Sequence, residues 1–97
     1  MLYDDLGLEL KPGDFIVKAS TNLNWARILK ITPPHKVRVA VFGPQLYRTT
    51  LWAYNSGAYP KPPVPPGEMY LRQALRVAPE GVPKQAMDVL DKEKPIL

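Results

Sequence analysis

The chain contains no cysteine and only one histidine among its 97 residues. Without cysteine it has no disulfide, no thiol nucleophile and no thiolate metal site. It also lacks a run of the roughly 20 apolar residues that a membrane-spanning helix needs. Its first five residues have neither the basic start nor the apolar stretch of a signal peptide. We therefore expect a cytoplasmic protein with no membrane association.

Side chains suited to catalysis are scarce. His35 lies in a Pro-Pro-His-Lys turn. There it is more simply interpreted as a solvated turn residue than as a general base. Asp4 and Asp5 stand at the start of the chain, where we expect a mobile terminus, and Asp14 is expected to cap the turn before the first strand. No glycine-rich phosphate loop precedes a helix, and no ligand spacing suits zinc. We therefore expect no enzymatic activity, no catalytic residues, no cofactor and no metal site.

Acidic residues are nearly absent from the middle of the chain. The net charge is +4, but residues 10 to 79 carry ten lysines and arginines against two acids, Asp14 and Glu68. Residues 1 to 9 carry three acids and no base. A basic middle of this kind either favours an acidic partner, an acidic protein surface or DNA or RNA, or serves the solubility of the chain alone.

Proline is the residue in excess, with 12 copies, so part of the chain must be extended and non-helical. The densest stretch, within residues 60 to 67, is expected to form polyproline II. Its Pro-x-x-Pro spacings fit a ligand of proline-binding domains. Lys61 is poorly placed for that role, so a stiff connector is the favoured interpretation.

Alternation of apolar and polar residues predicts five short strands followed by a helix. Pro83 is expected to start the helix, which is too short to be stable alone and must dock or fray. A helical turn is expected from Glu68, just before the fifth strand. The predicted strands are Phe15–Ser20 after a Lys11–Asp14 turn, Trp25–Thr32, Lys36–Val41, Leu46–Tyr54 and Ala74–Ala78.

The third strand sets the register of the predicted sheet. Its core side is expected to be a valine ladder: Val37, Val39 and Val41. Folding the next strand back about Gly43-Pro44-Gln45 sets Val41 opposite Tyr47, Val39 opposite Thr49 and Val37 opposite Leu51. The second strand matches the ladder only if one residue is skipped, so we predict a β-bulge at Leu29, which would also bend the strand.

With this register, cations collect on the side of the sheet away from the valines. Lys30 is predicted opposite Arg38, with Arg27 and Arg48 in the neighbouring row. Trp52 and Tyr54 extend the same side. Trp25 begins its strand beside a polar loop and is either a lid on the core or a contact residue. This side is either an ordinary solvated surface or a binding surface made of Arg27, Lys30, Arg38, Arg48, Trp25, Trp52 and Tyr54.

Three segments carry a resemblance to a known fold: Lys11-Pro12-Gly13-Asp14-Phe15-Ile16-Val17, Ala26-Arg27-Ile28-Leu29-Lys30-Ile31-Thr32 and Lys36-Val37-Arg38-Val39-Ala40-Val41. They resemble the first three strands of small barrels of the Src-homology-3-like and KOW-like kind. The resemblance implies a mainly β fold, a small five-stranded SH3-like barrel with a short C-terminal helix. The barrel would span residues 10–78 with the proline-rich insert 60–67, between an N-terminal segment (1–9) and a helix and tail (79–97). In its compactness and composition the chain also resembles bacteriophage accessory proteins, which would place it in the host cytoplasm.

Two functions stay open. One is a non-enzymatic protein-interaction module, such as a viral protein that binds or inhibits an acidic host protein surface. The other is a nucleic-acid-binding small barrel whose cations meet phosphates while Trp52 or Tyr54 stacks on bases. We favour the first because the basic excess is mild for a dedicated nucleic-acid binder. An exposed strand edge could also pair two copies into a homo-oligomer.

Overall fold

The structure, a computed structural model, describes residues 2–19, 23–32, 36–43, 47–53, 69–71 and 73–96. His35, Tyr54 and the proline-rich residues 60–67 lie outside these ranges, so the expectations placed on them stay predictions. The strands are β1 (Leu2–Tyr3), β2 (Glu9–Leu10), β3 (Phe15–Ala19), β4 (Leu23–Thr32), β5 (Lys36–Phe42), β6 (Tyr47–Ala53), β7 (Met69–Tyr70) and β8 (Ala74–Val77). A 3₁₀ turn (Pro79–Gly81) leads into one helix, α1 (Lys84–Leu90).

Five strands form one antiparallel sheet in the order β6-β5-β4-β3-β8. Strands β3 to β6 each pair with the next along the chain, and β8 returns to pair with β3. The expected mainly β fold with a short C-terminal helix is therefore confirmed. Among the described residues β6 and β8 lie at opposite edges and do not pair, so these pairings do not close a barrel.

The turn before β3 forms as its sequence predicts. The Asp14 carboxylate accepts a hydrogen bond from the Lys11 amide (2.8 Å), and the Asp14 amide donates to the Lys11 carbonyl (3.0 Å). Gly13 has φ +98°, a conformation that residues with a Cβ rarely adopt. The predicted capping role of Asp14 is confirmed.

The predicted β-bulge is present in β4. Pairing with β5 passes from Ile28 to Lys30 and leaves out Leu29. The Leu29 carbonyl instead accepts a hydrogen bond from the Ile96 amide (2.7 Å). The bulge thus sets the register of β4 against β5 and anchors the C-terminal tail to the sheet.

The register predicted between β5 and β6 is wrong by one residue. Val41 pairs with Arg48, whereas its predicted partner Tyr47 pairs with Phe42. Four residues therefore separate the last pair, where the prediction counted three. Because side chains alternate along a strand, this single residue exchanges the two faces of β6. Trp52 consequently pairs with Val37, and the predicted pairing of Leu51 with Val37 does not occur.

One face of the sheet, called the valine face, carries the first hydrophobic core. Val37 and Val39 are fully buried, which confirms the inward valine ladder. Trp52 packs against this core from β6, and Lys18 Nζ lies 5.5 Å from the centre of its ring. In a flat sheet β3 and β6 would lie about 14 Å apart, so the contact shows that the sheet is strongly curved. The core also contains Leu2, Leu10, Ile16, Ala26, Ile28, Val41, Leu71 and Ala74.

Helix α1 covers the centre of the opposite face, called the helix face. Ala86 and Leu90 are fully buried there, in a second core with Phe15, Leu29, Ala40 and Val82. A seven-residue helix is too short to be stable alone, so this packing is what stabilises it. Of the helices in the described ranges, none combines the length and apolar character needed to cross a membrane.

The expectation of a mobile N-terminus is wrong. β1 pairs antiparallel with β2 and parallel with β7, and Leu2 and Leu10 are buried in the first core. The parallel pairing also places a strand at Met69–Tyr70, where the sequence predicted a helical turn. The two ends of the chain therefore pack on opposite faces of the same sheet.

Asp4 is the polar residue at the centre of this N-terminal packing. It is fully buried, and its Oδ1 accepts hydrogen bonds from the amides of Leu6 (2.9 Å) and Leu8 (2.8 Å). Its Oδ2 accepts one from the amide of Arg76 in β8 (2.7 Å). Three amide donors compensate the desolvation of the carboxylate, so Asp4 is a structural residue.

Candidate functional site

The candidate site is an exposed basic surface at one end of the helix face. Lys30 and Arg38 are directly paired across β4 and β5, and Arg38 is paired with Leu51 on β6. Lys36 is two residues from Arg38 and lies on the same face. All four side chains are exposed. We call these four residues the basic strip.

The charges of the basic strip have no acidic neighbour on their own strands, since β4, β5 and β6 contain no aspartate or glutamate. Within the described part of the chain, the side chains of Lys30, Lys36 and Arg38 make no hydrogen bond or ion pair. Directly opposed like charges disfavour strand pairing, by about 1 kcal/mol at 4 Å in water. The strip therefore carries an uncompensated positive charge that an acidic ligand would neutralise.

Leu51 adds an apolar side chain to the basic strip, at its β6 end. Its side chain is 47% exposed, on β6 beside Arg38. Arginine is enriched at protein interfaces, and the exposed leucine beside it is apolar area that a partner could bury. The strip thus offers apolar contact area as well as charge.

Arg27, expected in the binding surface, is a structural residue. Its Nη1 donates to the backbone carbonyls of Asp91 (3.3 Å) and Glu93 (2.8 Å), at the end of α1, and its Nε donates to the Gly13 carbonyl (3.1 Å). Its guanidinium carbon also lies 4.8 Å from the centre of the Phe15 ring. These carbonyls belong to the C-cap residue of α1 and to the tail beyond it, so Arg27 connects the C-terminal end of the helix to the sheet. With these partners Arg27 does not belong to the candidate site.

None of the remaining predicted site residues is placed in the basic strip by the described part of the chain. Trp52 pairs with Val37 and packs on the first core. For Arg48 the structure describes the backbone, which pairs with Val41. Trp25 is half-buried and packs against the second core. Of its two predicted roles, this supports the lid on the core and not the contact residue. Tyr54 lies outside the described residues. Of the seven predicted site residues, the structure thus brings together Lys30 and Arg38.

Sequence reasoning left two members of the strip out of the candidate site. Lys36 is two residues from Arg38 in β5, so alternation places both side chains on the same face. This pattern was sufficient to include Lys36 in the candidate site. Leu51 was expected on the valine side because of the register error between β5 and β6. The sequence offers no separate signal for its exposure.

Comparison of this chain with protein-family models, with curated proteins and with solved structures finds no match.

Proposed function

We propose that the protein is a non-enzymatic interaction module whose basic strip docks on an acidic protein surface. The observation that carries this proposal is the row Lys30–Arg38–Leu51, two opposed cations beside an exposed leucine with no acid on the three strands. An acidic partner would remove the repulsion between the cations and cover Leu51 in the same contact.

The position of the tryptophans favours a protein partner over a nucleic acid. A single-strand binder stacks bases on aromatic side chains beside its cations. Trp52 packs on the valine face and Trp25 on the second core, so neither lies beside the strip. Three cations would also release only about three counterions from DNA, a small salt dependence for a nucleic-acid binder.

We further propose that the curved sheet belongs to a small barrel of the SH3-like kind. Three observations support this. The fifth strand of the sheet returns beside the first, a bulge bends the longest strand, and the contact of Lys18 with Trp52 requires strong curvature.

The function is tested with two labelled probes of equal negative charge, a peptide rich in glutamate and leucine and an oligothymidylate, titrated by fluorescence anisotropy. We expect the peptide to bind more tightly, and the double variant Lys30→Glu/Arg38→Glu to lose on the order of tenfold or more in affinity, as close charge pairs at interfaces do. The matched control is Lys84→Glu/Lys92→Glu, which makes the same charge change at exposed positions outside the three strands of the strip.

If the strip variant binds the peptide as the wild type does, the proposed surface is wrong. Tighter binding of oligothymidylate, lost in the strip variant alone, would instead assign the strip to nucleic acid.

A further inference from the structure

The two edges of the five-stranded sheet differ in how their backbone groups are satisfied. At the β8 edge, the Asp5 amide donates to the Ala74 carbonyl (2.9 Å), and the carboxylates of Asp4 and Asp5 accept from the amides of Arg76 (2.7 Å) and Gln73 (3.0 Å). The N-terminal segment therefore occupies this edge.

At the β6 edge, none of the described residues forms a corresponding cover. β6 pairs with β5 on one side, and within the described ranges no hydrogen bond reaches its outer side. Every second residue of an edge strand directs its amide and carbonyl outward, where they can pair with another chain.

The sequence of β6 offers little of the usual protection of an edge strand. Natural edges are protected by charged residues, above all lysine, by proline, by bulges or by short length. β6 has seven residues, Tyr-Arg-Thr-Thr-Leu-Trp-Ala; Arg48 is its one charged residue, it has no lysine and no proline, and it pairs with β5 without a bulge. Four of its seven residues are aromatic or β-branched (Tyr47, Thr49, Thr50 and Trp52), and such residues favour strands.

The basic strip borders this edge. Leu51 belongs to β6 itself, and Arg38 is paired with it on the adjacent strand. A strand added to β6 would lie about 4.8 Å beyond it, with alternate side chains on the helix face. Those side chains would stand next to Leu51 and within reach of the long side chain of Arg38.

We propose that the acidic partner binds by adding an extended segment to β6 as a sixth strand, with carboxylates at the alternate positions that face the basic strip. This inference rests on the proposed function and specifies its ligand: an extended peptide alternating acidic and β-branched residues. Backbone pairing supplies affinity and the strip supplies selection, as in other cases of strand addition.

A second copy of the chain is the less favourable occupant of this edge. Pairing β6 with β6 of another molecule would bring two basic strips, each with three cations and no acid on its strands, onto one continuous sheet. Their repulsion opposes that pairing, whereas an acidic segment is attracted by the same charges.

The test uses a synthetic peptide of alternating glutamate and valine and two derivatives methylated at backbone nitrogens. One derivative is methylated at the glutamates and the other at the valines, so that both keep the full charge. A strand presents the amides of alternate residues to its partner, so we expect one derivative to lose on the order of tenfold or more in affinity and the other to bind nearly as the parent does. Amide exchange of Thr49 to Trp52 should slow when the parent peptide is bound.

Each outcome decides between the two proposals. If parent and both derivatives bind alike while Lys30→Glu/Arg38→Glu abolishes binding, strand addition is refuted and the basic strip stands. If the strip variant also binds alike, or the wild type does not bind the parent peptide at low salt, the proposed function fails as well. A wild type that sediments as a dimer, with Thr49 to Trp52 protected in the absence of peptide, would assign the edge to a second copy.

Discussion

The clearest test of the structure compares Arg27 and Arg38, two arginines that the sequence pattern places in the same predicted binding surface. Arg27→Ala removes hydrogen bonds to three backbone carbonyls and the contact with Phe15, whereas Arg38→Ala removes an exposed side chain. Hydrogen bonds from a charged donor contribute about 1.5–3 kcal/mol each, less where water has access. The cation–π contact adds about 0.5–1 kcal/mol.

The lower values sum to about 5 kcal/mol. Because Arg27 is only half-buried and water reaches its hydrogen bonds, we expect Arg27→Ala to lower the free energy of unfolding by less than this sum, about 2–4 kcal/mol. For a domain of this size that is a fall in Tm of roughly 10–20 °C. Arg38→Ala should stay within about 0.5 kcal/mol of the wild type. Urea unfolding measures both.

Amide exchange then locates the effect of Arg27→Ala. We expect faster exchange at the end of α1 and at Ile96, whose amide bonds to the bulge carbonyl. Arg27→Lys keeps the charge but not the planar donor geometry, so it should recover only part of the loss. Equal stability of the two alanine variants would refute the assignment of Arg27 as the residue that secures α1.

Three further substitutions test the packing. Asp4→Asn places an amide nitrogen among three backbone donors and should lower the free energy of unfolding by about 2–4 kcal/mol; a loss under about 0.5 kcal/mol, the size of an ordinary surface substitution, would contradict the buried network. Gln73 has φ +64°, so Gln73→Gly relieves left-handed strain of about 1–2 kcal/mol against an entropic penalty of about 0.5–1 kcal/mol, and thermal denaturation should show slight stabilisation. Trp52→Ala should lower the free energy of unfolding by about 2–3 kcal/mol and Leu51→Ala by less than about 0.5 kcal/mol, as measured by chemical denaturation. A larger loss for Leu51→Ala than for Trp52→Ala would support the register that pairs Leu51 with Val37.

The sequence sufficed to predict the bulge but not the register beyond it. Ile28 and Ile31 are three residues apart, so strict alternation along β4 would place them on opposite faces. Both lie on the valine face only if one residue between them is skipped in the pairing with β5, which located the irregularity at Leu29. On β6 both alternating sets contain a threonine and a large apolar residue, Leu51 in one and Trp52 in the other. The alternation therefore did not show which set lies on the valine face. The length of the loop between β5 and β6 determines this, because one more loop residue exchanges the two faces.

The candidate site was predictable where it depends on neighbouring strands and not where it depends on distant ones. Lys30 and Arg38 were brought together by the bulge alone. Arg27 interacts with backbone carbonyls 64 and 66 residues away, and Asp4 accepts from an amide 72 residues away. No local pattern encodes such partners, so a structural arginine was mistaken for a binding residue and a buried aspartate for a mobile one.

The parallel pairing of β1 with β7 bears on the order in which the chain folds. Leu2 pairs with Met69, and closing the loop between these two residues costs about 4 kcal/mol of chain entropy. Strands β3 to β6, in contrast, are joined by short hairpin loops. Such distant contacts form slowly. The meander should therefore nucleate first, and the opening residues of the chain should dock last and detach first when the protein begins to unfold.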